Sequence, residues 1–163
     1  MWQVIWEAII EEFSDVPDME SAIRIVFRLL IAGILGGLLG YERERRGKSA
    51  GIRTHMLVSV GAALFIVVSQ QSGVSPDDMT RVIQGVLQGI GFLGAGAIII
   101  GTIKERSRGL TTAANIWAAA GIGVSAGLGL GATAVLSTFV ILFILLVIPL
   151  FFPKMYKETN NKD

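Results

Sequence analysis

The sequence predicts an all-α membrane protein: five transmembrane helices, the N-terminus outside and the C-terminus in the cytoplasm. Three observations carry this. Of 163 residues 52% are hydrophobic and 20 are glycine, both high for a soluble domain. The apolar residues gather in runs of about twenty, enough to cross roughly 30 Å of hydrocarbon. Charge is also segregated. Segments 42–55 and 102–110 and the C-terminal tail hold eleven of the fourteen Lys and Arg residues. Eight of the thirteen acids lie within residues 1–20 or at Asp77 and Asp78. An odd number of spans puts all the basic segments on one face, and the positive-inside rule makes that face cytoplasmic. The expected division is residues 1–18 as an amphipathic extracytoplasmic segment, 19–153 as the membrane domain and 154–163 as a basic cytoplasmic tail.

The elements follow in order. In residues 1–14, Trp2, Ile5, Trp6, Ile9 and Phe13 share a helical face that largely excludes Glu7, Glu11 and Glu12. Such a helix lies in the membrane interface or packs on the protein itself. Asp18 can cap the next helix. The first span, about 21–41, sets Arg24 and Arg28 one turn apart, opposite a stripe of Gly33, Gly37 and Gly40 with Gly36 beside it. Small residues at this spacing let helix backbones approach closely in lipid. The second span is about 55–71. The third, about 81–101, carries Gln84 and Gln88 on one face with Gly85, Gly89 and Gly96 beside it, and reads as packed against neighbours. The fourth, about 111–128, is built from Ala, Gly, Ser and Thr with Gly123 and Gly127 at four-residue spacing, and reads as central. The fifth, about 132–152, is almost pure Ile, Leu, Val and Phe from Phe139 to Phe152 and reads as lipid-facing, with Pro149 and Pro153 marking its end. The glycine stripes predict a homo-oligomer, with a dimer favoured, embedded in the lipid bilayer. No nucleic-acid partner is expected.

Two soluble-protein motifs fail in context. Gly89-x-Gly91-x-x-Gly94 lies inside an apolar span with no strand before it, and Gly47-Lys48-Ser49 has Glu42 where a phosphate-binding loop needs glycine. With one histidine, no cysteine and no paired acids within a span, the residues offer neither a nucleophile–base pair nor a zinc cage, and no enzyme is predicted. Span directions bring the polar residues into one layer at the cytoplasmic surface: Glu42, Arg43, Glu44, Arg46, Arg53, Thr54, His55, Thr111, Thr112 and Asn115. Spans 2 and 4 present helix N-termini there, a natural anion site, with Thr54, Thr111 and Thr112 available as caps. The local charge favours a phosphate, a lipid head group or an acidic partner. Simple anchoring of the basic loops to anionic lipid is the plainer alternative. Glu42 is the candidate metal ligand. Arg28 with Gln84 and Gln88 forms a candidate second polar site in the outer half.

Three ordered motifs resemble the MgtC/SapB family of bacterial membrane proteins. They are Leu38 to Phe65, with Gly40-Tyr-Glu-Arg-Glu-Arg-Arg and Gly51-Ile-Arg-Thr-His inside it; Gly89-Ile-Gly-Phe-Leu-Gly-Ala-Gly96; and Gly109-Leu-Thr-Thr-Ala-Ala-Asn-Ile-Trp117. The resemblance covers about residues 22–150 and is to the short form without a soluble C-terminal domain. It implies an inner-membrane, multi-pass protein of magnesium homeostasis, with Mg2+ as ligand or substrate and no other cofactor. Transport of Mg2+ is one implied role. The other is regulation of a partner membrane complex, such as an ATP synthase or a P-type ATPase, with nothing transported.

Overall fold

A computed structural model describes residues 1–14, 16, 18–99 and 109–151; the basic loop 104–108 and the C-terminal tail lie outside the described residues. Six helices follow in order: α1 (Trp2–Glu12), α2 (Met19–Arg45), α3 (Ile52–Gln71), α4 (Pro76–Ile99), α5 (Leu110–Gly127) and α6 (Gly131–Phe151). The described residues contain no strand. Four of the helices, α2, α3, α4 and α6, are long and apolar enough to cross a membrane. Helix α5 falls short, for the reason that makes it central: its surface is Ala, Gly, Ser and Thr, and the bundle rather than lipid covers it.

Helix α5 packs against α2, α3, α4 and α6. Ala119 and Ala120 are fully buried, and glycine lets the backbones close in. A β-carbon on Gly123 would collide with the Ser59 carbonyl, and one on Gly127 would lie 2.7 Å from the Ala63 carbonyl oxygen. The α2–α3 contact works the same way: a β-carbon on Gly36 would sit 2.6 Å from the His55 carbonyl oxygen and one on Gly40 2.6 Å from the Ile52 Cα. Gly33 and Gly37 complete that stripe against Val60 and Met56. In lipid, where apolar side chains gain nothing by leaving the solvent, such approach supplies the van der Waals and weak polar contacts that hold helices together.

The expected packing of Gly85, Gly89 and Gly96 is not met within the chain. Nothing lies within 4 Å of the position a β-carbon would take at any of the three. Among the described residues helix α4 touches only α3 and α5, and Gly85 and Gly89 are exposed. Spacing fixed which residues share a face; it carried no information on what lies opposite. Helix α6 bears out the lipid-facing expectation in its apolar surface, with Leu136, Phe139, Val140 and Phe143 exposed. Pro149 sits inside α6 and does not end it, because a proline in the last turns removes one hydrogen bond that the remaining helix tolerates. Helix α1 has no buried residue and touches no other helix, so the alternative that it packs on the protein is not met.

The helix ends follow local chemistry. Asp18 accepts a hydrogen bond from the Ser21 backbone N–H at 2.7 Å and caps α2; that bond holds its carboxyl below the ordinary 3.8. Gly129, at φ +83°, makes the turn from α5 to α6 in a conformation that side chains rarely adopt.

Candidate functional site

Helices α2, α3 and α5 meet pairwise, and the C-terminal end of α2 lies on the start of α3. Polar side chains collect in that corner. His55 is fully buried, and Asn115, Thr112, Arg43 and Glu42 are nearly so. His55 Nδ1 lies 2.9 Å from the Gly51 carbonyl oxygen, and its Nε2 lies 3.1 Å from Asn115 Nδ2. A carbonyl can only accept and an amide nitrogen only donate, so the ring is held as the neutral tautomer with its proton on Nδ1. On α2, the Glu42 carboxylate pairs with Arg43 Nη1 at 3.4 Å and with Arg46 through its other oxygen. Both Glu42 and Arg43 lie within electrostatic reach of the imidazole. Three charged groups thus carry one negative and two positive charges in a largely buried space, which leaves the layer net positive.

Some capacity remains unspent. Arg43 Nε, Ser59 Oγ and Asn115 Oδ1 are buried without a hydrogen-bond partner among the described residues. A buried donor or acceptor left unmet costs about 1–3 kcal/mol. The corner therefore offers a guanidinium N–H, a hydroxyl and an amide oxygen to anything that enters it. Ser59 was not among the sequence candidates. Its signal was present: it stands four residues after His55, on the same face of α3.

The other predicted residues fall elsewhere. Arg53, Thr54 and Thr111 are exposed. Neither threonine caps a helix, nor does the buried Thr112. The caps of α3 and α5 are Gly51 and Gly109, with no side-chain cap bond. Instead Glu44 reaches across the 46–51 turn and accepts the Ile52 backbone N–H at 2.9 Å. Gly51, lacking a side chain, leaves room for that carboxylate. The anion expected at the start of α3 is thus the chain's own glutamate. Glu42, the candidate metal ligand, has both oxygens on arginines. Among the described residues no three His, Cys, Asp or Glu side chains gather as a metal site would need.

The second polar site is not assembled as expected. Arg28 Nη1 donates to Gln70 Oε1 at 2.6 Å and to the Gly127 carbonyl at 2.9 Å. A cation at the C-terminus of α5 meets its unpaired carbonyls and the negative end of its dipole. Gln84 and Gln88 are exposed on α4 and make no contact with Arg28. The glutamine partner came from α3 because Gln70 lies in the last turn of the helix that packs on both α2 and α5.

Comparison with known proteins places this architecture. Residues 29–151 match the MgtC family. Among curated proteins the chain is 43% identical over 102 residues to the Escherichia coli K12 protein named "Putative magnesium transporter YhiD", covering 58% of this chain and 46% of that one. It is 44% identical to protein SrpB of Synechococcus elongatus, covering 58% of each, and 46% identical to protein MgtC of Salmonella typhimurium, covering 72% of this chain and 49% of that one. The chain thus spans about half the length of the curated relatives it matches. No solved structure matches it. The long apolar helices, the glycine-packed bundle and the match over residues 29–151 agree: this membrane protein belongs to the MgtC family.

Proposed function

We propose that the protein serves magnesium homeostasis as a five-span protein of the bacterial inner membrane, N-terminus outside, and that the α2–α3–α5 corner is its ligand site. The name of the E. coli relative supports the magnesium assignment. The observation that carries the site is the net positive, partly unsatisfied layer of Glu42, Arg43, Arg46, His55 and Asn115. Magnesium sheds its water reluctantly and is commonly bound through one or two carboxylates together with phosphate. A hydrated Mg2+ ion accompanied by phosphate fits this layer. Arg43 would hold the phosphate, Asn115 Oδ1 would accept from a water of the ion, and Glu42 would be the carboxylate available to it once released from its arginines.

The test is Mg2+ flux into liposomes holding purified protein, with inorganic phosphate present. Uptake above empty liposomes is expected for the wild type, falling towards the empty-liposome level in Glu42→Gln. No wild-type uptake overturns transport. Uptake unchanged by the substitution keeps transport and discards the site.

One observation favours a second reading, regulation of a partner membrane complex. Both oxygens of Glu42 are ion-paired with arginines, so this buried carboxylate must give up a cationic partner before it can replace the water of a cation. This reading predicts that the protein, isolated from magnesium-starved cells, brings down a defined membrane complex. Recovery of the protein alone counts against it.

A further inference from the structure

The helices around α5 all have outward faces, and those of α6 and α4 differ in kind. On α6 the exposed residues are Leu, Ile, Val and Phe, a surface matched to hydrocarbon. On α4 they include Arg81, Gln84, Gly85, Gln88, Gly89 and Phe92, and of these Gln84, Gly85, Gln88, Gly89 and Phe92 lie in the apolar stretch. Steps of one, four, five and eight residues put all five on one helical face. Gln88 stands near the middle of Pro76–Ile99, and Gln84 one turn away. Neither amide has a hydrogen-bond partner among the described residues, and Phe92 is 82% exposed. An amide without a partner in hydrocarbon is expensive, and water is not there to serve it.

We infer that the outward face of α4 is the interface between two copies of this chain, packed in parallel about a two-fold axis along the membrane normal. Three features select a second copy as the occupant. Identical chains inserted with the same orientation place Gln84 and Gln88 at the same depths in both. A carboxamide is both donor and acceptor, so across a two-fold axis each glutamine pairs with its own counterpart. The open glycines let the two backbones close to the distance those short bridges need; Phe92 is the large apolar side chain of the face, and the exposed Arg81, ion-paired with Asp78, stands at its N-terminal edge. Within the chain, Gly36, Gly40, Gly123 and Gly127 are already filled by neighbouring helices; Gly85 and Gly89 of α4 are open.

The chain has no cysteine, so single cysteines report without background. Gly85→Cys and Gly89→Cys meet no atom within 4 Å and leave the fold undisturbed. Oxidation in native membranes is expected to cross-link one or both into a species of twice the chain mass, while Phe143→Cys on α6 stays single. A second variant, Gln84→Leu with Gln88→Leu, is expected to raise the dimer dissociation constant in detergent about tenfold, with the helicity of the monomer retained. Failure of both cysteines to cross-link overturns the interface, as does cross-linking only to a different protein. An unchanged dissociation constant in the double leucine variant overturns the amide pairing.

Discussion

Gly36 and Gly85 are the same residue on two helices, and their surroundings make them opposites. At Gly36 an added methyl group meets the His55 carbonyl oxygen at 2.6 Å and Ser59 Cβ at 2.7 Å. Backbone cannot swing aside as a side-chain tip can, so α2 and α3 must separate. Gly36→Ala is expected to destabilise the bundle by about 1–3 kcal/mol or more. Gly85→Ala meets open space within the chain and is expected to leave the stability of the monomer within about 0.5 kcal/mol. Thermal unfolding of the two variants in one detergent checks the contrast; equal midpoints would refute the packing account. The sequence made the α2 and α5 stripes legible and presented the α4 stripe in the same terms, because spacing records a face and not its neighbour. The partners of Arg28 were hidden for a related reason. Gly127 lies 99 residues away, and a backbone carbonyl has no sequence signature.

Helices were legible as elements, with starts and stops shifted by a few residues from the expected spans. Their ends were less so. Threonine at the head of α3 or α5 suggested a cap, and the polypeptide used glycine at both, joined at α3 by a glutamate from the preceding helix. The Ser/Thr rule is local, whereas Glu44 reaches Ile52 only because the short 46–51 turn folds α2 back on α3. This bond ties the two helices at the mouth of the candidate site. Glu44→Ala is expected to cost about 1 kcal/mol, in the range of a lost cap, while Glu44→Gln keeps an acceptor and most of the stability. Hydrogen exchange of the first turn of α3 reads the difference directly. Protection unchanged in the alanine variant would remove Glu44 from that role.

For the molecule as a whole, the residues of the polar corner were named in advance, but their division of labour was not. Charge and span direction gathered Glu42, Arg43, His55 and Asn115; only the packed bundle shows Glu42 clamped by two arginines and Arg53 left outside. Orientation is the global property that charge placement predicts most sharply. Single cysteines at Ser14 and at Ser49 are expected to react from opposite sides, Ser14 with an impermeant maleimide added to intact spheroplasts and Ser49 only after lysis. Labelling of both in intact spheroplasts would refute the proposed topology.

Helix α5 is the innermost element and the least suited to enter a bilayer by itself. Its Asn115, three threonine and serine hydroxyls and many glycines make solitary partitioning unfavourable on the scale by which the insertion machinery selects segments. Only the three-residue turn Leu128–Leu130 separates it from α6, the most apolar helix of the bundle. On the five-span reading, α5 is therefore expected to insert stably only once α6 follows it. The two then enter as a hairpin, and the polar corner comes into being last, when α5 slides into the groove already formed by α2 and α3.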